Sequence, residues 1–349
     1  MIWFFLLSGL FLGWSLGAND AANIFGTAVG TRMIRFRTAA LLASAGVIVG
    51  ATRGGAGASG TLGALGAVNA MAGSFTVALT AGLSVSGMNR SGLPVSTSQA
   101  IVGAIIGWNL FTGSPTDRGV LARIVSAWVV SPVIAALFAI GLYQLTRRWL
   151  RHRHAHMLTV DAYTRAGLVL AGTTGAYVLG ANNIGNVMGV FVPASPFRPV
   201  DLGAMGKVGG TTQLFLLGAL AIAVGIRTHS YRVMTTVGGQ LFKLTPILAL
   251  IVVLAHNLAL FVFSSEALQG LLHRLGLPAP PLVPVSSTQA IIGAIIGVAL
   301  VKGGKGVHYA TLGRIVLGWV MTPLIACGMS FILLFVVQNV FEQVVVTRP

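Results

Sequence analysis

The stretch Pro94-Val-Ser-Thr-Ser-Gln-Ala-Ile-Val-Gly-Ala-Ile-Ile-Gly107 is repeated 190 positions later as Pro284-Val-Ser-Ser-Thr-Gln-Ala-Ile-Ile-Gly-Ala-Ile-Ile-Gly297, with eleven identities in fourteen residues. In each copy a proline and a valine precede three hydroxyl residues. A glutamine and an apolar run with glycines follow. This order is typical of a helix amino terminus, because proline interrupts a preceding helix and serine caps the next one. The repetition predicts a chain built from two related halves.

Two further matches occur in the same order along the chain. Gly17-Ala-Asn-Asp-Ala-Ala-Asn-Ile-Phe-Gly26 recurs at an offset of 163 as Gly180-Ala-Asn-Asn-Ile-Gly-Asn-Val-Met-Gly189. Arg123-Ile-Val-Ser-Ala-Trp-Val-Val-Ser-Pro132 recurs at an offset of 191 as Arg314-Ile-Val-Leu-Gly-Trp-Val-Met-Thr-Pro323. We therefore predict a first repeat over 1–146, a basic cytoplasmic linker over 147–165 and a second repeat over 166–349.

The composition is that of a membrane protein. Hydrophobic residues make up 55% of the 349 residues and charged residues only 8%, whereas soluble domains average about 25% charged residues. These values exclude an ordinary soluble enzyme and a disordered chain. The formal charge of +16 comes mostly from short loops between apolar runs, which fits an anionic lipid surface. We expect membrane lipid as a partner and no nucleic acid.

The apolar segments number five in each half, several of them shorter than the roughly 20 residues that span a bilayer. An odd number per half requires the two halves to insert in opposite orientations. With both termini outside, fifteen of the 22 Lys and Arg residues fall inside, as the positive-inside rule favours. The predicted fold class is an all-α polytopic membrane protein with two inverted-topology repeats and broken or re-entrant helices, an architecture of secondary transporters.

The proline–hydroxyl motifs predict an anion site. The first backbone N–H groups of a helix are free and carry a partial positive charge, so they can hold an anion without lysine or arginine. Side-chain hydroxyls and amides add donors to these N–H groups. The alternative is two ordinary helix caps that face water. The candidate anion-binding residues are Ser96, Thr97, Ser98, Gln99, Ser286, Ser287, Thr288 and Gln289.

The Gly-Ala-Asn motifs predict a cation site. Asp20 is the acidic residue that falls within a duplicated motif, and polar groups at membrane depth need partners or a water-filled cavity. A carboxylate beside neutral amide oxygens suits a hard cation, so sodium is possible at Asp20, as is a proton. Alternatively, Asp20 caps a helix start and the asparagines bridge broken backbone. The candidate cation-binding residues are Asn19, Asp20, Asn23, Asn182, Asn183 and Asn186.

Together the two motif pairs predict co-transport, since a buried anion and a buried cation each lower the cost of burying the other. A passive anion channel would share the helix starts and not need Asp20. An enzyme would need a nucleophile with a base or a metal-ligand cluster, and the duplicated motifs provide neither, so we predict no catalytic residues. The histidines His229, His256, His273 and His308 are scattered and are interpreted as interface residues.

These motifs resemble those of the inorganic phosphate transporter family, often called PiT, over nearly the whole chain. The resemblance implies a secondary active symporter of inorganic phosphate with an alternating-access mechanism. It implies coupling to sodium or protons, a cell-membrane location and a dimer, with no cofactor. Two departures from the family pattern are present: Asn183 stands where the second motif usually has aspartate, and Gln99 and Gln289 replace histidine. Since the family includes sulfate permeases, sulfate is the alternative substrate.

Overall fold

The computed structural model describes residues 2–66, 68–90, 95–152, 156–201, 207–240, 244–304 and 308–347, without the side chains of residues 58 and 235–240. Pro94, predicted to interrupt a helix, lies outside the described residues. Helices dominate the described part of the chain, as predicted, and the polypeptide is a multi-span membrane protein.

The helices follow the apolar segments of the sequence. In the first half they are α1 (Ile2–Ala21), a π-helical turn (Ala22–Gly26), α2 (Thr27–Gly30), α3 (Phe36–Gly54), α4 (Ala56–Leu65), α5 (Met71–Arg90), α6 (Thr97–Thr112) and α7 (Arg118–His152). In the second half they are α8 (Met157–Met188), a 3-10 turn (Gly189–Phe191), α9 (Gly210–Gln240), α10 (Pro246–Ser264), α11 (Glu266–Arg274), α12 (Ser287–Val301) and α13 (Tyr309–Asn339). A two-stranded antiparallel hairpin, β1 (Val200–Asp201) with β2 (Lys207–Val208), precedes α9.

Six helical stretches among the described residues are long and apolar enough to cross a membrane. A seventh arises if α3 and the segment Ser59–Leu65, bent by 62° relative to each other, form one broken span. The paired helices α6 and α12 have 16 and 15 residues. At 1.5 Å per residue they are about 24 Å long, less than the ~30 Å hydrocarbon core. Neither helix crosses the bilayer alone.

The described residues of the segment 147–165, predicted as a basic linker, are mostly helical. Its first residues, 147–152, are the end of α7, and 157–165 are the start of α8. Arginine is a good helix former, so the basic run extends a 35-residue helix beyond its apolar part. Residues 153–155 lie outside the described part of the chain.

The two halves pack through one another. The duplicated motifs fall on the pairs α1 and α8, α6 and α12, and α7 and α13. Helix α1 packs on α9 while its counterpart α8 packs on α3, and α6 packs on α13 while α12 packs on α7. Each of these four contacts therefore has an equivalent with the halves exchanged, and each joins a helix of one half to a helix of the other.

Glycines allow this close packing at equivalent places. A β-carbon at Gly103 of α6 would collide with the carbonyl oxygen of Pro323 on α13. The equivalent β-carbon, at Gly293 of α12, would collide with the carbonyl oxygen of Pro132 on α7. Small residues let membrane helices approach this closely.

The equivalent helices α1 and α8 run antiparallel. A β-carbon at Gly9, early in α1, would lie 2.7 Å from the ring of Phe191, just after α8 ends. Further along α1 and its π-helical turn, the ring of Phe25 lies against Gly172, which is near the middle of α8. Residue numbers therefore rise along one helix as they fall along the other.

Candidate functional site

The two hydroxyl-rich motifs form capped helix starts, which confirms the caps predicted from sequence. Ser96 has extended backbone, with φ −101° and ψ 117°, and its side chain accepts a hydrogen bond from the Gln99 N–H at 3.3 Å. Ser286 has φ −80° and ψ 111° and accepts from the Gln289 N–H at 3.2 Å. Since the cap is made through the serine oxygen, each serine hydroxyl proton remains free to donate.

The two helix starts lie against each other in the centre of the protein. The Ser98 hydroxyl donates to the Val285 carbonyl at 3.1 Å. The Thr288 hydroxyl donates to the Val95 carbonyl at 3.2 Å. These two bonds are equivalents of each other, because Ser98 matches Thr288 and Val95 matches Val285 at the offset of 190. The hydroxyl protons of Ser98 and Thr288 therefore hold the two loops together, and both side chains present only oxygen lone pairs elsewhere.

Asparagine side chains of the Gly-Ala-Asn motifs form hydrogen bonds with the backbone of the same two loops. On α8, the Asn182 amide donates to the Val285 carbonyl at 2.9 Å and accepts from the Val285 N–H at 3.2 Å. On α1, the Asn19 amide donates to the Val95 carbonyl at 3.3 Å. Each asparagine thus replaces a backbone partner for a loop that has no helical hydrogen bonds of its own.

A second asparagine of each motif reaches the hydroxyls of the opposite half. Asn186 donates to the Ser98 oxygen at 2.8 Å and to the Asn183 side-chain oxygen at 2.9 Å. Asn23 donates to the Ser287 oxygen at 2.8 Å. The predicted anion and cation residues therefore belong to one connected cluster.

Asp20 lies inside a continuous helical stretch, one residue before α1 passes into the π-helical turn. It does not cap a helix start, so that part of the alternative is wrong, whereas Asn19 and Asn182 do bridge loop backbone as the alternative states. Its carboxylate is 3% exposed and accepts from the Asn19 amide at 2.9 Å. Single π-helical turns within helices often occur at functional sites. At the matching place Asn183 donates to the Leu179 carbonyl at 3.2 Å.

The site is sealed and electrostatically unusual. All fourteen candidate residues are at most 5% exposed. Among the described residues no lysine or arginine is buried, and Asp20 is the buried carboxylate. Several buried oxygens of the cluster have no hydrogen-bond partner within the described protein and are free to contact a bound ion, namely Thr97 Oγ1, Gln99 Oε1, Asn186 Oδ1 and Gln289 Oε1.

His256 is a residue of the site that the sequence interpretation missed. It lies on α10, is fully buried, and its Nε2 atom is 3.2 Å from the Ser287 hydroxyl oxygen. Its Nδ1 atom is 3.2 Å from the side-chain oxygen of Asn257. A sequence signal was available, since a His-Asn pair in the middle of an apolar membrane helix is costly unless it has partners or a function.

The fold and the site together define a polytopic α-helical membrane transport protein with a buried polar centre. The chain belongs to the phosphate transporter family, whose sequence model matches residues 16–278 and 282–348. Phosphate is the substrate of this family.

Individual relatives are similar to this chain over almost its full length. The chain is 25% identical to a Bacillus subtilis protein named "Probable low-affinity inorganic phosphate transporter", covering 93% of each chain. It is 22% identical to the Arabidopsis thaliana protein "Inorganic phosphate transporter 2-1, chloroplastic", covering 97% of this chain and 72% of that one. A solved structure titled "The sodium-dependent phosphate transporter" has the same fold, with a TM-score of 0.76, 22% identity and coverage of 97% and 98% of the two chains.

Proposed function

We propose that this protein is a secondary active symporter of inorganic phosphate, driven by a sodium or proton gradient. The observation that carries the proposal is the buried cluster in which two capped helix starts, four bridging asparagines and one carboxylate meet. The anion binds at the helix starts, among Ser96, Thr97, Gln99 and their equivalents in the second half. The coupling cation binds near Asp20 and the asparagine side chains.

Charge balance supports symport over passive flow. Phosphate brings one or two negative charges into a site that already holds the Asp20 carboxylate. No buried lysine or arginine of the described residues offsets them, and unpaired buried charges are strongly disfavoured. Positive charge must therefore enter with the anion, as sodium or as protons.

The buried oxygens support phosphate over sulfate. Gln99 Oε1 and Gln289 Oε1 have no donor among the described residues. A protonated phosphate can donate to such an acceptor, whereas sulfate has no proton to give. A site with acceptors left unpaired by a ligand loses binding free energy.

The arrangement of helices supports alternating access between inverted repeats. Antiparallel packing of the equivalent helices α1 and α8 is the relation that opposite insertion of the two halves requires. The site is closed to both sides, so one half must move against the other to release the ion. Both termini outside, a cell-membrane location, a homodimer and the division into 1–146, 147–165 and 166–349 belong to the same proposal. Exposed apolar residues on α7 and α13, such as Leu137 and Ile332, suit contact with lipid.

Uptake into proteoliposomes tests this proposal. Labelled phosphate is offered with an inward sodium gradient, with an inward proton gradient, and with excess unlabelled sulfate. We expect accumulation above the external concentration with at least one gradient, and little effect of sulfate. Flux that only equilibrates phosphate would favour the channel, and strong suppression by sulfate would move the assignment to sulfate, with Asn183 the first residue to test.

A further inference from the structure

We propose that His256 binds a co-transported proton, and that its protonation turns the Ser287 hydroxyl toward the bound anion. The inference rests on the proposed function, since it assigns a proton site in addition to the cation site near Asp20. It is carried by a chain of hydrogen bonds that runs from Asn257 through the His256 ring to Ser287.

These hydrogen bonds determine which nitrogen of the neutral His256 ring carries the proton. The Asn257 amide nitrogen donates to the Ala171 carbonyl at 2.7 Å, so the Asn257 oxygen faces the ring. That oxygen accepts a proton from Nδ1, which leaves a lone pair on Nε2. The Nε2 lone pair then accepts the Ser287 hydroxyl proton across 3.2 Å. In this state the Ser287 proton is unavailable to an anion.

Protonation of His256 reverses the direction of its hydrogen bond with Ser287. When one proton from the aqueous phase binds Nε2, both ring nitrogens become donors. The Ser287 oxygen then accepts from Nε2, and it already accepts from the Asn23 amide at 2.8 Å. Both lone pairs are occupied, so the hydroxyl proton points away from His256, into the helix start of α12. Binding of a proton thus adds one donor and one positive charge to the anion site.

Few other charged groups can influence His256. Helix α10 packs on α8, α7, α12 and α2, and α12 and α2 contain no titratable residue. The titratable residues of α7 and α8 are exposed, apart from the half-buried Tyr143, which lines a cavity with Ile251 near the start of α10. Those exposed residues are Arg118, Arg123, Arg147, Arg148, Arg151, His152, Asp161, Tyr163, Arg165 and Tyr177. Within the described residues, Asp20 is the other buried ionisable group of the cluster.

Among the described residues, the hydrogen bond between His256 and Ser287 has no equivalent in the first half. Ser287 matches Thr97 at the offset of 190, and the Thr97 hydroxyl has no partner in the described protein. The first half holds the buried carboxylate and the second half holds the buried histidine.

The first test compares wild-type protein with His256→Gln and with the control His273→Gln, an exposed histidine on α11, all in proteoliposomes. Phosphate exchange at equal pH, proton-driven uptake and internal acidification reported by a trapped dye are measured. We expect wild type and His273→Gln to acidify the lumen during uptake. We expect His256→Gln to lose the acidification and the proton-driven uptake.

The pH profile separates this role from a structural one. At acidic pH, wild type should bind phosphate about tenfold or more tightly than His256→Gln, since a charged donor and a freed hydroxyl are lost. The gap should close as pH rises. The titration of phosphate itself is common to both proteins and cancels in the ratio. An equal loss of affinity at every pH would overturn the proposal.

A second pair of variants covers the case in which His256→Gln does not fold. Ser287→Thr keeps the hydroxyl, and threonine already occupies the matching position 97, so coupling should persist. Ser287→Ala should weaken the pH dependence of phosphate affinity, because the hydroxyl donor is lost while the charge on His256 remains. Wild-type phosphate accumulation on sodium alone, without proton movement, would overturn the proton site and leave symport standing. Absence of phosphate exchange and uptake in wild type under either gradient would instead overturn the proposed function.

Discussion

The side-chain amide of Asn186 donates a hydrogen bond to the hydroxyl of Ser98 over 2.8 Å, although 88 residues separate them. The equivalent amide, that of Asn23, donates to the neighbouring hydroxyl of Ser287 at 2.8 Å, and to Thr288, the match of Ser98, at 3.5 Å. The asparagine motif of each half thus holds the helix start of the other half. The two motif pairs form one site because each is completed by the opposite repeat.

Asn186→Ala should destabilise the protein, because it removes the hydrogen bond to Ser98 of the other half. The change leaves the buried oxygens of Ser98 and Asn183 without their donor, at a cost of about 1–3 kcal/mol. Thermal unfolding in detergent, with and without phosphate, measures the effect. Asn339→Ala, which removes an amide from the exposed end of α13, is the control and should unfold like wild type. Equal unfolding temperatures for both variants would contradict the structural role.

Asp20→Asn should strongly reduce gradient-driven accumulation of phosphate. The substitution preserves size and removes the buried negative charge that attracts the cation, so accumulation should fall at least about tenfold, or ~1.4 kcal/mol. The matched control is Asp161→Asn, since Asp161 is exposed on α8 and its pair with Arg165 at 3.7 Å is worth little. Accumulation at the wild-type level in Asp20→Asn would remove Asp20 from the cation site, and an unchanged passive flux would favour a channel.

Ser96→Ala combined with Ser286→Ala should weaken anion binding sharply. The double change removes two buried hydroxyl donors and both helix caps, each cap contributing about 0.5–2 kcal/mol to stability. Phosphate affinity is measured by calorimetry on the purified protein. Ser265→Ala removes the cap of the exposed helix α11 and controls for cap loss alone. Undiminished affinity in the double variant would refute the assignment of the helix starts as the anion site.

Gln99→Met combined with Gln289→Met should reduce the preference for phosphate over sulfate. Methionine keeps the length of the side chain and removes the acceptor that a phosphate proton would use. The ratio of the two inhibition constants in uptake competition should narrow by about tenfold. A ratio equal to that of wild type would mean that the glutamine oxygens do not select the anion.

Gly103→Ala and Gly293→Ala should each destabilise the protein. Every added β-carbon meets a proline carbonyl of the opposite half, and overpacking of this kind costs about 1–3 kcal/mol. Gly313→Ala on α13 is the control, because a β-carbon there meets nothing within 4 Å. Melting temperatures in detergent report the difference. Similar values for all three variants would argue against close packing between the halves.

The sequence alone determined the class of protein, the duplication and the local structure of both helix starts. Hydropathy and charge depend on composition, and the caps at Ser96 and Ser286 act over three residues, so both can be predicted without tertiary information. The same local logic identified the Asn and hydroxyl residues, because polar groups at membrane depth need a reason to be there.

Only the tertiary structure decided which of those residues bond to each other across the two halves. The hydroxyl protons of Ser98 and Thr288 bind loops of the opposite half, and His256 joins the site from a helix that carries no duplicated motif. These contacts depend on how distant helices pack, with 31 residues between His256 and Ser287 and 264 between Asn23 and Ser287. Sequence patterns of short range contain no record of that geometry, so a lone histidine in an apolar helix could be seen but not placed.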